Sequence, residues 1–186
     1  MKCVQTSGFG ANLVLLGPAV AWVGLKNSDD QGARFDVLTE VYLNDVLVAS
    51  GLSRCISGVT RNPNNAKEVV ISFDPFSPVT VNEGDVISLR VLTRIGTNSD
   101  GSKCPGHNNA VGLRLYYGAS NRPSRFGAQF SPEPFADFFL HTSGSVDSLI
   151  EVAPISASAL FKDSAAVNFS GGNPWKEIGT WSKAIQ

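Results

Sequence analysis

The sequence predicts an all-β chain folded as a single antiparallel β-sandwich, jelly-roll-like in its many short strands. Three observations carry this expectation. Apolar and polar residues alternate with a period of two over long stretches. Clusters of Gly, Pro, Asn and Asp bound each stretch. No segment has a convincing helical stripe, residues 157–167 being the nearest and weak, whereas a parallel α/β fold needs helices between its strands.

Taken in order, Asn12 to Leu16 is apolar at every position after Asn12. Such a run suits a central strand buried on both faces, or a strand that inserts into a neighbouring subunit. Ala21 to Lys26 is a short apolar strand with Trp22 expected in the core. From Arg34 to Leu43 the alternation is clean, with Phe35, Val37, Thr39, Val41 and Leu43 on one face. Arg34, Asp36, Leu38, Glu40 and Tyr42 occupy the other. Asn44-Asp45 then signals a two-residue type I′ hairpin, because both residues tolerate positive φ, and Val46 to Leu52 returns. Lys67 to Phe73 points Val69, Ile71 and Phe73 inward. After a turn at Asn82 to Asp85, Val86 to Ile95 places Ile87, Leu89, Val91 and Ile95 inward. Ala110 to Tyr117 repeats the scheme with Val111, Leu113, Leu115 and Tyr117, and Phe135 to His141 and Ser148 to Val152 are shorter candidates. The sandwich is expected over 1–155. Residues 156–186 lose the alternation and read as a C-terminal extension that packs on it or leads toward a following module.

The chain has 186 residues, enough for one domain with a proper core. Its net charge of -1 and its lack of Lys/Arg runs leave no electrostatic footprint for nucleic acid. The longest apolar run, Leu13 to Leu25, is broken by Gly17, Pro18 and Gly24, whereas a spanning helix takes about 20 apolar residues. No membrane span is expected. The same run lacks the flanks of a signal peptide, so export implies a signal outside this sequence.

Of the three cysteines, Cys55 and Cys104 lie in turn-rich connections without a partner at metal-ligand spacing. Either they form a disulfide, which would pin two loops together at a gain of roughly 2–4 kcal/mol, or they are free thiols. Cys3, near a terminus, is the odd one out.

Three segments, WVGLKNSDDQGARFD (Trp22 to Asp36), GHNNAVGLRLYY (Gly106 to Tyr117) and RPSRFG (Arg122 to Gly127), resemble a recurrent β-sandwich module of bacterial secreted and cell-surface proteins. The resemblance extends over roughly residues 21–141. It implies an extracellular or cell-surface location and a sandwich architecture, and says nothing of activity.

Candidate sites follow from residue type. Asn27, Asp29 and Asp30, with Asp36 shortly after, offer the oxygens that calcium requires. The competing reading is that Asn and Asp make the turn through hydrogen bonds to the backbone. The loop from Gly96 to Asn109 is dense in polar side chains; His107 there either ligates a metal or bonds a sugar hydroxyl, or, the plainer reading, is a loop residue bonded to a neighbouring backbone. On the polar sheet face, Tyr42, Arg90, Arg94, Arg114 and Tyr116 are expected to project together with Arg34, Asp36 and Glu40. Tyrosine rings there would stack on sugars while arginines grip hydroxyls; simple cross-strand pairing is the plainer account. Trp175 and Trp181 are either exposed sugar-stacking rings or anchors of the tail.

Catalysis finds no support. His141, Ser143 and Ser145 lie close together without a GxSxG elbow or a positioned base. Asp36 and Glu40 share a strand face, but glycoside hydrolysis needs two carboxyls about 5–9 Å apart across a cleft. Two classes remain. One is a non-catalytic extracellular module recognising a polysaccharide or cell-surface ligand. The other is a structural, adhesion or self-assembly module of a surface protein or filament.

Overall fold

The structure is a computed structural model and describes residues 10–106, 110, 112–116, 124–131, 136–139 and 174–185. The candidate strand at 148–152, the weak helical pattern at 157–167, and Cys3, His107 and His141 lie outside these residues. The described residues form eleven strands: β1 (Gly10–Leu16), β2 (Ala19–Leu25), β3 (Phe35–Leu43), β4 (Val46–Ile56), β5 (Lys67–Ile71), β6 (Val79–Asn82), β7 (Val86–Ile95), β8 (Leu113–Tyr116), β9 (Arg125–Ser131), β10 (Ala136–Phe139) and β11 (Lys176–Ala184). Among the described residues no helix is long and apolar enough to cross a membrane.

Two antiparallel sheets pack face to face, as the alternation predicts. The first runs β5-β2-β9-β1-β6, with β8 on β2 and β10 on β9; the second runs β11-β7-β3-β4. Each contributes one apolar face to a shared core. Phe35, Val37, Val41, Ile87, Leu89 and Val91 come from the second sheet, and Leu13, Val23, Leu25, Ile71, Val81, Leu113 and Phe126 from the first. Thr39 and Thr93 also point inward and are buried, each hydroxyl donating to a backbone carbonyl, Gly51 and Asp36 respectively. Burial without loss of hydrogen bonds makes threonine acceptable there.

Asn44 and Asp45 adopt φ of 49° and 64°, the positive values of a type I′ hairpin between β3 and β4. The run at Asn12 to Leu16 is a central strand, between β9 and β6, with Leu15 left exposed beside a bulge. The tail segment 176–184 joins the second sheet as its edge strand, paired with β7 from Lys176↔Thr93 to Ala184↔Val86.

Two expectations require correction. Trp22 lies on the opposite face of β2 from Ala21 and Val23, so it is half-buried outside the main core. Its backbone N–H donates to Ser124 Oγ. Arg114 and Tyr116 lie on β8, in the first sheet, and do not share a face with Tyr42, Arg90 and Arg94 of the second. Tyr116 is moreover buried, its ring lying over Gly24, where a Cβ would come within 2.6 Å of it. Alternation sets which side of its own strand a residue takes; it does not say which sheet the strand joins.

Candidate functional site

The outer face of the β11-β7-β3-β4 sheet gathers most of the expected ligand-binding residues. Strand register aligns Tyr42 with Ser88, Glu40 with Arg90, Leu38 with Leu92 and Asp36 with Arg94. From β11, Thr180 faces Arg90 and Glu177 faces Leu92. Charged and aromatic groups therefore occupy both ends of the face, with Leu38, Leu52 and Leu92 between them.

At the hairpin end, the Tyr42 hydroxyl donates to Glu40 Oε2 at 2.8 Å and accepts from Arg90 Nη1 at 3.2 Å. Arg90 Nε donates to Glu177 Oε2 at 3.0 Å, and its guanidinium carbon lies 5.6 Å from the Tyr42 ring centre. Glu177 also accepts from the Thr180 hydroxyl. Burial and the hydrogen bond to Glu40 raise the Tyr42 pKa, so the phenol stays protonated and keeps donating. Partial burial works against the Arg90 charge, but the bonds to Glu177 and Tyr42 outweigh it and raise its pKa. Five side chains from three strands thus hold one another in fixed orientation.

At the other end Asp36 is fully buried although it belongs to the outer face. Its Oδ1 accepts from the Cys55 N–H at 2.9 Å. Its Oδ2 accepts from Arg94 Nε at 2.9 Å, the Thr97 N–H at 3.1 Å and the Thr97 hydroxyl at 2.8 Å. Trp175, just before β11, supports this end: the Arg94 guanidinium carbon sits 4.2 Å from its ring centre. Cation–π geometry of this kind orients the guanidinium as well as stabilising it.

The expected disulfide joins Cys55 to Cys104, with the Cα atoms 5.7 Å apart. It ties the end of β4 to the loop after β7 directly beside Asp36, whose carboxylate lies within 4.8 Å of both sulfurs. Both cysteines are consumed by the bond, so the trio is not a set of metal ligands. Gly96 lets the loop pass here, since a Cβ would lie 3.0 Å from Cys104 Sγ and 3.1 Å from the Arg34 backbone.

Among the described residues, Asp29, Asp30 and Asp36, considered for calcium, do not form a group with ligand atoms within 4.8 Å of one another. Asn27 to Asp30 form a short 3-10 turn capped by Asn27, whose side chain accepts from the Asp29 N–H. Asp30 turns inward and accepts from the Gly112 N–H at 3.2 Å. Asp36 is engaged by Arg94, Thr97 and Cys55 instead, and its neighbouring guanidinium groups oppose a second cation. The loop therefore has the turn-forming geometry that was the competing reading.

Tyr42, Arg90, Arg94 and Trp175 thus come together, while Arg114 and Tyr116 do not. Sequence reasoning missed Glu177 and Arg54, and it placed Thr97 in the polar loop without joining it to Asp36. Glu177 carries no alternation signal because β11 is bulged between Glu177 and Gly179. Arg54 adjoins a feature that was visible, Cys55. Compared with family models, curated proteins and solved structures, the chain matches none.

Proposed function

We propose that the protein is a non-catalytic binding module that recognises a polysaccharide or other surface glycan outside the cytoplasm, through the outer face of the β11-β7-β3-β4 sheet. The supporting observation is the joint display of Tyr42, Glu40, Arg90, Glu177, Arg94 and Trp175 on one sheet face, each held by a named partner. Side chains already ordered lose little freedom on binding, which leaves more of the contact energy as affinity. From Asp36 to Tyr42 the face extends about 20 Å at ~3.3 Å per residue, room for several sugar units. The disulfide is compatible with an oxidising, extracellular setting. Exposed Val46 and Leu47 beside the hairpin favour the second reading, assembly of surface copies.

Retention on a panel of immobilised polysaccharides separates the two. Tyr42→Ala and Arg90→Ala are expected to reduce retention about tenfold, a loss of ~1.4 kcal/mol each. Their thermal midpoints should stay within a few degrees of wild type, because surface pairs contribute little to stability. A wild-type chain retained by no glycan, yet oligomeric by sizing chromatography, would establish the assembly reading instead.

A further inference from the structure

The two ends of the sheet face differ in charge balance. At the hairpin end one arginine, Arg90, faces two carboxylates, Glu40 at 3.8 Å and Glu177 at 3.0 Å. At the disulfide end the ratio reverses: Arg94 and Arg54 share the single carboxylate of Asp36, at 2.9 Å and 3.9 Å. Both guanidinium groups also donate to the same hydroxyl, Thr97 Oγ1, Arg54 through Nη1 at 3.3 Å and Arg94 through Nη2. That hydroxyl in turn donates a hydrogen bond to Asp36 Oδ2. Two cations are therefore drawn together around one buried anion, leaving a surplus positive charge.

The surplus lies on Arg54. Asp36 is sealed from solvent, whereas the Arg54 side chain is 42% exposed. Only its Nη1 is engaged among the described residues, with Thr97 as acceptor. The Nε and Nη2 edge, the one that grips an oxyanion with two parallel hydrogen bonds, is left for a ligand. Thr97 pairs in a backbone bridge with Lys103, whose exposed side chain adds positive charge. The acid on the same loop, Asp100, is held by the Ser102 N–H and hydroxyl.

We propose that Arg54, supported by Arg94 and Thr97, is a binding site for the oxyanion group of an acidic polysaccharide, a carboxylate or a sulfate ester. The inference rests on the sheet-face reading above and adds the ligand's charge and its polarity. The anionic group contacted by Arg54 lies at the disulfide end, and the glycan runs from there toward Tyr42. With the whole chain at a net charge of -1, general attraction to a polyanion is weak, so such retention depends on this local surplus.

The test is affinity electrophoresis of the full chain in gels containing dextran, xylan, dextran sulfate or polygalacturonate, with single-stranded DNA as an unrelated polyanion. Dextran and dextran sulfate share a backbone, and polygalacturonate separates carboxylate from sulfate. The expected result is retardation by one or both acidic glycans that weakens as salt rises. Arg54→Gln should lower that affinity about tenfold, the usual worth of a charge-assisted hydrogen bond. Arg54→Lys, with the charge but not the fork, should fall between. Arg61→Gln removes the same charge from a separate exposed loop and should behave as wild type. A melting temperature for Arg54→Gln within a few degrees of wild type shows that the loss is one of binding. Retention by neutral glycans alone, or equal losses in Arg54→Gln and Arg61→Gln, would overturn this inference and leave the sheet-face reading intact. Equal retardation by DNA would overturn it as unspecific. Retention by no glycan would overturn both.

Discussion

Asp36 shows how one buried carboxylate organises a surface. It is fully buried on what the alternation marks as the polar face, and it accepts from three different segments: Cys55 on β4, Arg94 on β7 and Thr97 in the following loop. Cys55 itself has φ of 52°, and its N–H is directed onto Asp36 in that conformation. Removing the carboxylate leaves Arg94 without its ion-pair partner and strands two backbone N–H donors. Asp36→Ala should therefore lower unfolding stability by about 3–5 kcal/mol, the usual cost of breaking a buried pair on one side. The midpoint of a urea transition measures it, and a loss below about 1 kcal/mol would show that solvent replaces the lost partners. The identity of Asp36 was legible as a member of the outer face. Its burial was not, because burial depends on Arg94, Arg54 and the loop arriving from elsewhere in the chain.

At the scale of elements, two tight turns are locked to each other. The β3–β4 hairpin and the β6–β7 turn meet where Asn44 Nδ2 donates to Asp85 Oδ1 at 2.8 Å. Asn44 Oδ1 accepts from the Val86 N–H, and the Asn44 N–H donates to the Val86 carbonyl. Asp85 Oδ2 accepts from the Asn82 N–H at 2.7 Å, closing its own turn. The bond from Asn44, followed by that from the Asn82 N–H, holds the Asp85 carboxyl below its ordinary value of 3.8. A lowered folded-state value means that the charged form stabilises the native state above the unfolded value. That contribution fades as pH falls through the folded one. Asp85→Ala should accordingly melt below wild type at pH 7, and the gap should close as pH falls below about 4. A gap that stays constant from pH 7 to pH 3 would show that the side chain acts by shape alone. Both turns were legible, since Asn-Asp and Asn-Glu-Gly-Asp favour positive φ. Their mutual contact joins residues 41 apart and needed the fold.

For the molecule as a whole, the disulfide closes a loop with a sequence separation of 49 that includes the β5, β6 and β7 strands. In the chain-entropy view a loop of that size is worth about 4 kcal/mol. The double variant Cys55→Ser with Cys104→Ser should lose most of this in a urea titration. Wild type under reducing conditions should match it. If the double variant is as stable as the oxidised chain, the loop after β7 is held by the Asp36 network without help from the cross-link.

Sequence alone determined the all-β class, the inward faces of β3, β7 and β8 and the hairpin at Asn44-Asp45, and it named Cys55 and Cys104 as the candidate pair, bonded or free. Each of these depends on local period, turn chemistry or the scarcity of cysteine, which neighbouring residues express without reference to the rest of the chain. The strands it passed over were those with weak local signals. β6 has four residues, β9 carries Gly127 and Ala128 among its buried positions, and β11 is bulged between Glu177 and Gly179. Only the tertiary structure decided which strands are neighbours, and the site depends on that. Tyr42, Arg90 and Arg94 share a face because β3 pairs with β7, and Glu177 and Trp175 join them because β11 closes the sheet edge. Arg114 and Tyr116, with the same alternation and the same residue types, went to the other sheet because β8 pairs with β2. Strand pairing is a contest among edges distant in sequence, settled by core packing, and a period-two pattern is identical whichever edge wins.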